Sequence, residues 1–139
     1  MKYVIILLGF STFIMFSACT NIASQLDPPN QVTTTIIYKN TNPSKTYKCI
    51  YYGRIGESEA QLILHMSILP INAKFDSTQN GNIFISQIKH LEKTTTQLCK
   101  SSWEDDTHLE VVLMDNLLIK KNENYYVNGK DTINIKYVP

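Results

Sequence analysis

Hydrophobic and polar residues alternate with a period of two along much of the chain after residue 31. In residues 32–39, 47–52 and 132–137, every second side chain is apolar, β-branched or aromatic. A strand places successive side chains on opposite faces of its sheet, so this alternation predicts strands with one buried face. We therefore predict a mainly β domain over residues 32–139.

Turn-forming pairs separate the predicted strands. Asn80–Gly81 and Asn128–Gly129 are Asn-Gly pairs, which tolerate the positive φ of tight hairpin turns, and Asp115–Asn116 falls between two further apolar runs. Successive hairpins give an antiparallel meander, which has to cover its apolar face and protect its edges. The expected product is a small sandwich or a small barrel.

For two segments the sequence pattern is compatible with both a helix and a strand. Residues 58–69 begin with a capping-box pattern that favours a helix. The apolar residues from Leu62 to Ile68 alternate, however, and an amphipathic helix would need a polar face that this segment lacks. We predict a strand there. In residues 86–93 the helical spacing of Ile88 and Leu91 indicates one short helix.

The first 31 residues have a different character. An apolar stretch of 14 residues, Tyr3 to Phe16, follows Lys2, the only charge of this leader. It is shorter than the roughly 20 residues of a membrane-spanning helix. Small residues follow it, as they do at the end of a secretory signal. Residues 20–31 are polar, contain two prolines and predict a linker.

The end of the leader resembles a bacterial lipobox. Its residues, in order, are Phe16, Ser17, Ala18 and Cys19. The resemblance implies a small bacterial lipoprotein: residues 1–18 are a signal peptide, Cys19 carries the lipid, residues 19–31 form the lipidated N-terminus and linker, and residues 32–139 form the β domain. The phenylalanine departs from the leucine that is usual at its position.

Two further points concern export. Thr20 stands where an aspartate retains lipoproteins on the inner membrane of enteric bacteria, so the resemblance implies an outer-membrane anchor facing the periplasm in a Gram-negative source. Cleavage after Cys19 by ordinary signal peptidase is the alternative, because Ser17 and Cys19 supply the small residues that this enzyme requires. That cut would release an unlipidated protein.

The charge of the chain argues against a nucleic-acid partner. There are 13 Lys and Arg against 12 Asp and Glu, which gives a formal net charge of +1. Arg54 is the single arginine, and Lys120 and Lys121 are the only adjacent basic residues. A nucleic-acid binder would cluster such residues to neutralise phosphates.

Three cysteines fit the hypothesis of export. If Cys19 carries the lipid, Cys49 and Cys99 remain as a pair, and an oxidising compartment favours a disulfide between them. In the chain-entropy view that bond contributes up to about 4 kcal/mol. The alternative is two free buried thiols in separate strands, because cysteine is among the most buried residue types.

The sequence predicts no catalytic site, no metal site and no cofactor. Glu104–Asp106 with His108 is the densest group of acidic and imidazole side chains. It lacks the glycine-bent oxygen spacing of a calcium loop and the additional His or Cys of a zinc site. His65 and His90 share no motif with a serine or cysteine nucleophile.

Two pairs of adjacent tyrosines are the candidate contacts with a protein partner. Tyr51 with Tyr52, and Tyr125 with Tyr126, should each place one ring outward, where tyrosine supplies amphipathic contact area. Ordinary strand propensity is the alternative explanation. We expect a non-enzymatic binding or structural module of the cell envelope: an assembly component, an inhibitor or an immunity protein. A secreted small-ligand carrier or enzyme on a calycin-like β-barrel is the competing hypothesis.

Overall fold

The computed structural model describes residues 32–55, 62–88, 99–115 and 117–139. Within these ranges the chain forms nine strands and no helix. In chain order the strands are β1 Thr33–Thr41, β2 Tyr47–Ile55, β3 Leu62–Pro70, β4 Phe84–Ile88, β5 Cys99–Trp103, β6 His108–Leu113, β7 Leu117–Asn122, β8 Tyr125–Asn128 and β9 Asp131–Val138. The predicted mainly β fold is confirmed, whereas the leader, Cys19 and the linker lie outside the described residues.

The strands form two sheets that face each other as a small sandwich. The larger sheet has the order β1-β2-β3-β4-β7, and all its neighbouring pairs are antiparallel. The smaller sheet has the order β5-β6-β9-β8, in which β6 and β9 are parallel. The first four strands follow the predicted meander, and of the two expected architectures the structure shows the sandwich.

The reversal expected at Asp115–Asn116 is wrong, because β6 and β7 belong to different sheets. The chain leaves the smaller sheet after Leu113 and enters the larger one at Leu117, where β7 pairs with β4. Alternating apolar residues suit either sheet, since both sheets bury their apolar faces in the same core. The pattern locates the two strands without assigning each to its sheet.

The two ambiguous segments resolve differently. Residues 62–69 lie within β3, which confirms the predicted strand over that range, while residues 58–61 are outside the described part of the chain. Ser86–Ile88 belongs to β4 and not to the predicted short helix, and residues 89–93 are also outside it. Ser86 and Ile88 face inward with Phe84, which is the two-residue alternation of a strand.

The core lies between the sheets and consists of side chains from both of them. Among the described residues it contains 15: Tyr47, Cys49, Tyr51, Leu62, Leu64, Met66, Ile68, Ile83, Phe84, Ile88, Cys99, Leu109, Val111, Ile133 and Ile135. Each large apolar side chain buried in this way contributes roughly 1.5–3 kcal/mol. Burial of these side chains therefore holds the two sheets together.

Hydrogen bonds link the two sheets at two places. Between the edge strands β1 and β5 the Tyr38 hydroxyl donates to Ser101 Oγ at 3.0 Å, and Asn40 Nδ2 donates to the Ser101 carbonyl at 2.6 Å. Farther across the sandwich the Tyr137 hydroxyl of β9 donates to the Ile83 carbonyl at 2.9 Å. Buried hydroxyl and amide groups need such partners, so these bonds fix how the sheets meet.

Residues 71–83, called the strap below, join β3 to β4 and cross the outer face of the larger sheet. Lys48 Nζ donates to the Ala73 carbonyl at 2.6 Å, and the Tyr52 hydroxyl donates to the Gln79 carbonyl at 2.9 Å. These side chains belong to β2 and point away from the core. The strap therefore covers a sheet face that the alternation in the sequence assigned to solvent.

The two Asn-Gly pairs serve different purposes. Gly129 has φ 64° and occupies the first central position of the β8–β9 hairpin, in which Asn128 pairs with Asp131. Type II′ turns require glycine at that position, so this prediction is confirmed. Gly81 is not among the residues with positive φ. A Cβ there would lie 2.3 Å from the Phe84 carbonyl oxygen, so glycine is required by close backbone approach.

We predict that Gly81→Ala destabilises the domain more than Gly129→Ala. The first change forces backbone atoms apart and should cost at least about 2 kcal/mol of unfolding free energy. The second leaves the added methyl in open space with only φ strain and should cost about 1 kcal/mol. Urea unfolding at pH 7 measures both. Equal losses, or a Gly81 variant as stable as the wild type, would contradict the packing argument.

Candidate functional site

Neither tyrosine of the first pair is available to a partner. Tyr51 points into the core and is 0% exposed, and Tyr52 points to the other face but is only 1% exposed. The Tyr52 ring stacks on His65 at 5.0 Å and meets the edge of Phe75 at 4.8 Å. The two rings do point to opposite faces, but the outward one is covered because the strap lies over it. This corrects the expectation of an exposed ring at position 52.

The second pair places one ring at the surface. Tyr125 is 60% exposed, whereas Tyr126 packs against the core and meets Tyr47 edge-on with a centroid distance of 6.2 Å. Val127 lies on the same face as Tyr125 and is 55% exposed. Tyr125 and Val127 together are called the β8 patch. Val127 was missed by the sequence analysis, although the two-residue alternation alone would have placed it beside Tyr125.

The β8 patch lies on an end strand with an accessible edge. Among the described strands β8 pairs with β9 only, so its other backbone edge is free of strand pairing. The register of Tyr125–Asn128 with β9 has no bulge, and these four residues carry no charge. Edge strands normally avoid unwanted pairing with charges, bulges or covering segments. This edge has neither a charge nor a bulge.

The disulfide predicted between Cys49 and Cys99 is absent from the structure, which has two free, buried thiols. Ser101 Oγ lies 3.6 Å from Cys49 Sγ, while the Cys99 thiol is adjacent to the Tyr51 hydroxyl. Each thiol therefore has a side chain other than the second cysteine as its hydrogen-bond neighbour: Cys49 has Ser101, and Cys99 has Tyr51.

Burial also sets the chemistry of these thiols. Removal from water raises the pKa of Cys49 to about 12 and that of Cys99 to about 11. The thiolate is the reactive form of cysteine, so both side chains behave as small core residues at neutral pH. The structure therefore agrees with the alternative to the disulfide, in which Cys49 and Cys99 are two free buried thiols in separate strands.

The acidic group on the β5–β6 loop forms local hydrogen bonds. Asp105 accepts from the Thr107 backbone N–H at 2.7 Å and lies 2.9 Å from His108 Nδ1, and these contacts lower the Asp105 pKa to about 2. Asp106 Oδ1 accepts from the Ser44 N–H at 2.7 Å, which joins this loop to the β1–β2 turn. Within the described ranges no cluster of three or more acidic, histidine or cysteine side chains is arranged to hold a metal.

His65 occupies an unusual position beneath the strap. It is 1% exposed, and its Nδ1 accepts the Gly81 backbone N–H at 3.1 Å. Nε2 is buried and has no hydrogen-bond partner among the described residues. Burial, and secondarily the Arg54 charge, lower the His65 pKa to about 4. The ring is therefore neutral at pH 7, with its proton on Nε2.

Two open grooves lie on the surface of the sandwich. One, of about 410 Å³, has a mainly apolar surface, and the other, of about 380 Å³, is called the polar groove because most of its lining residues are polar. The first is lined by Leu113, Met114, Asp115, Leu117, Ile119, Tyr137, Val138 and Pro139. The second is lined by Thr46, Tyr47, Asp106, Thr107, Lys130, Asp131, Thr132 and Ile133. In the polar groove the Tyr47 hydroxyl donates to Asp131 Oδ2 at 2.7 Å, so one of its carboxylates already has a partner.

Comparison with known proteins adds no family assignment: no protein family, curated protein or solved structure matches this chain. In the part of the chain that the structure describes, no helix has the length and hydrophobicity of a membrane span.

We predict that both thiols are free and protected in the folded domain. A thiol reagent at pH 7 should modify Cys49 and Cys99 at least about 100-fold more slowly than in denaturant, because both thiols are fully buried. Intact mass before and after denaturation counts the modified sites. A mass two hydrogens lighter, with no modification in denaturant, would instead establish the disulfide.

Proposed function

We propose that this protein is an exported lipoprotein whose β-sandwich acts as a non-enzymatic binding or structural module of the bacterial cell envelope. Its tether is the lipid on Cys19, and its place is the periplasmic side of the outer membrane. The module pairs its β8 edge with an extended segment of a partner protein. An assembly component, an inhibitor or an immunity protein would each use such a surface.

The β8 patch is the observation that carries this proposal. Tyr125 and Val127 present amphipathic and apolar area beside a free strand edge. A partner that adds a strand gains main-chain hydrogen bonds along the edge and specificity from alternate side chains. Exposed tyrosine is also among the residues that dominate binding energy at interfaces.

The filled interior favours this function over a calycin-like carrier. A carrier needs a cavity inside a closed barrel. Here, in the part of the chain that the structure describes, the facing surfaces of two sheets are packed together by 15 buried side chains. The two grooves described above open on the surface of the sandwich.

The linker length is compatible with a tether. Residues 20–31 reach at most about 40 Å when extended, which is enough to hold a folded domain clear of a lipid surface.

Metabolic labelling tests the lipid anchor on Cys19. Cells grown with labelled palmitate should label the wild-type protein and fractionate it with membranes, whereas Cys19→Ser should be unlabelled and absent from the mature membrane fraction. Cys49→Ser serves as the control, because its thiol is buried and plays no part in lipidation. An unlabelled wild-type protein, released freely into the medium, would remove the tether from the proposal.

Substitutions in the β8 patch test binding through the β8 edge. Cross-linking of the wild-type protein in cells should recover an envelope protein as its partner. The double variant Tyr125→Ser, Val127→Thr should recover at least about tenfold less of that partner. Ile36→Thr is the matched control, because Ile36 is 52% exposed but lies on the larger sheet. Both surface variants should keep their unfolding free energy within about 0.5 kcal/mol. Undiminished cross-linking in the double variant would refute binding through β8.

A further inference from the structure

We propose that the middle of the strap is an acid-released cover: protonation of His65 detaches residues 72–81 and exposes the outer face of the larger sheet, while Ile71 and Ile83 stay in place. This device goes beyond binding through β8, because it governs a second surface on the opposite sheet. It rests on the contact between His65 and Gly81 and on how the rest of the strap is attached.

The contact at Gly81 permits only one protonation state of the histidine. His65 Nδ1 accepts the Gly81 N–H, and a proton on Nδ1 would turn this acceptor into a second donor facing the first. Gly81 has little room to retreat, since its Cα already lies where an added Cβ would be 2.3 Å from the Phe84 carbonyl and 2.8 Å from the Met66 carbonyl. Charging the ring therefore breaks the contact.

The groups around His65 do not stabilise an imidazolium. On β2 the neighbours are the stacked Tyr52 ring and the Arg54 guanidinium, whose positive charge opposes protonation. On β4 the paired residue is Ile85, which does not titrate. In the strap, Lys74 and Asp76 line the cavity of about 90 Å³ beside Tyr52.

The Asp76 carboxylate already accepts hydrogen bonds within its own turn. Its Oδ1 accepts from Thr78 N at 2.9 Å and from Thr78 Oγ1 at 2.7 Å. Its pKa is lowered mainly by the Thr78 hydroxyl, so it holds its charge inside its own turn. Among the described residues no carboxylate forms a hydrogen bond with the His65 ring.

The two ends of the strap stay attached. The Ile71 N–H donates to the Thr46 carbonyl at 2.8 Å, and Ile83 is a core residue whose carbonyl accepts from the Tyr137 hydroxyl. Between these ends the attachments are the hydrogen bonds from Lys48 to Ala73, from Tyr52 to Gln79, from Arg54 to Asn80 and from Thr34 to Ser77, together with the contact of the Phe75 ring with Tyr52. Water replaces such bonds at small net cost, in contrast to the apolar packing between the sheets. Segments held mainly by hydrogen bonds open locally while the core stays folded. Release uncovers Ile50 and Tyr52, which are buried in the closed state.

The sign of the pH effect follows from the two states. The His65 pKa is about 4 in the closed state against an ordinary value of 6.5, so the open state binds more protons between these values. Closure is at full strength above pH 6.5 and weakens as the pH falls toward 4. The opening equilibrium should increase roughly twentyfold between pH 7 and pH 5.

Amide hydrogen exchange of the mature protein at pH 7 and pH 5, corrected for the intrinsic exchange rate, tests the device. The amides of Gly81 and Gln79 should lose roughly twentyfold in protection, while those of Cys49 and Leu64 keep theirs. The non-titrating variant His65→Gln should abolish the difference, whereas His108→Gln, which removes an exposed histidine, should preserve it.

Three results would overturn the proposal: strap protection that is equal at both pH values, core amides that lose protection in parallel with the strap, or a pH effect that persists in His65→Gln. If that variant does not fold, an NMR titration of the wild-type protein tests the mechanism instead. Protonation of the His65 ring should coincide with the loss of the Gly81 amide contact. A ring that stays neutral while the strap opens would refute the mechanism.

Discussion

The burial of β2 and β3 on both faces is the constraint on which the rest of this structure depends. On the inner face, Cys49, Tyr51, Leu64 and Met66 are packed against the smaller sheet. The outer face of the same strands carries buried polar groups, among them His65 and Ser67. Buried polar groups destabilise a fold unless they find hydrogen-bond partners. The strap supplies many of these partners from its backbone, which explains why a long connection crosses the sheet at this place.

Sequence alone could predict the strands of this sandwich but not the covering of its second face. Alternation in residues 47–52 locates β2 correctly. Gly129 predicts the β8–β9 hairpin correctly, because the positive φ that the turn requires depends only on local sequence. The role of Gly81 is not local, since it depends on the approach of Met66 and Phe84 backbone atoms. One sign of double burial was present: Cys49 to Tyr52 is a continuous apolar run, which favours a strand buried on both faces.

The candidate sites show the same division between local and distant information. One ring of the pair Tyr125 and Tyr126 was predicted to be outward because strand alternation is local, and Tyr125 is the exposed one. The pairing of Cys49 with Cys99 was inferred from the number of cysteines, which contains nothing about register across the sandwich. Residues 49 and 101 face each other because β2 and β5 are positioned by the Tyr38 and Asn40 bonds to Ser101. Neither spacing nor composition reports that alignment.

The edges of the two sheets differ in a way that bears on function. β1 has a register shift between Ile36 and Tyr38 and carries Lys39, and β7 has a register shift and two lysines. Both features discourage the pairing of foreign strands. β8 is regular, uncharged and flanked by exposed Tyr125 and Val127. A fold that protects both ends of one sheet but leaves a regular edge on the other retains a surface suited to one kind of partner, an extended strand. Because that edge and the strap belong to different sheets, release of the strap would add a second surface without disturbing the first.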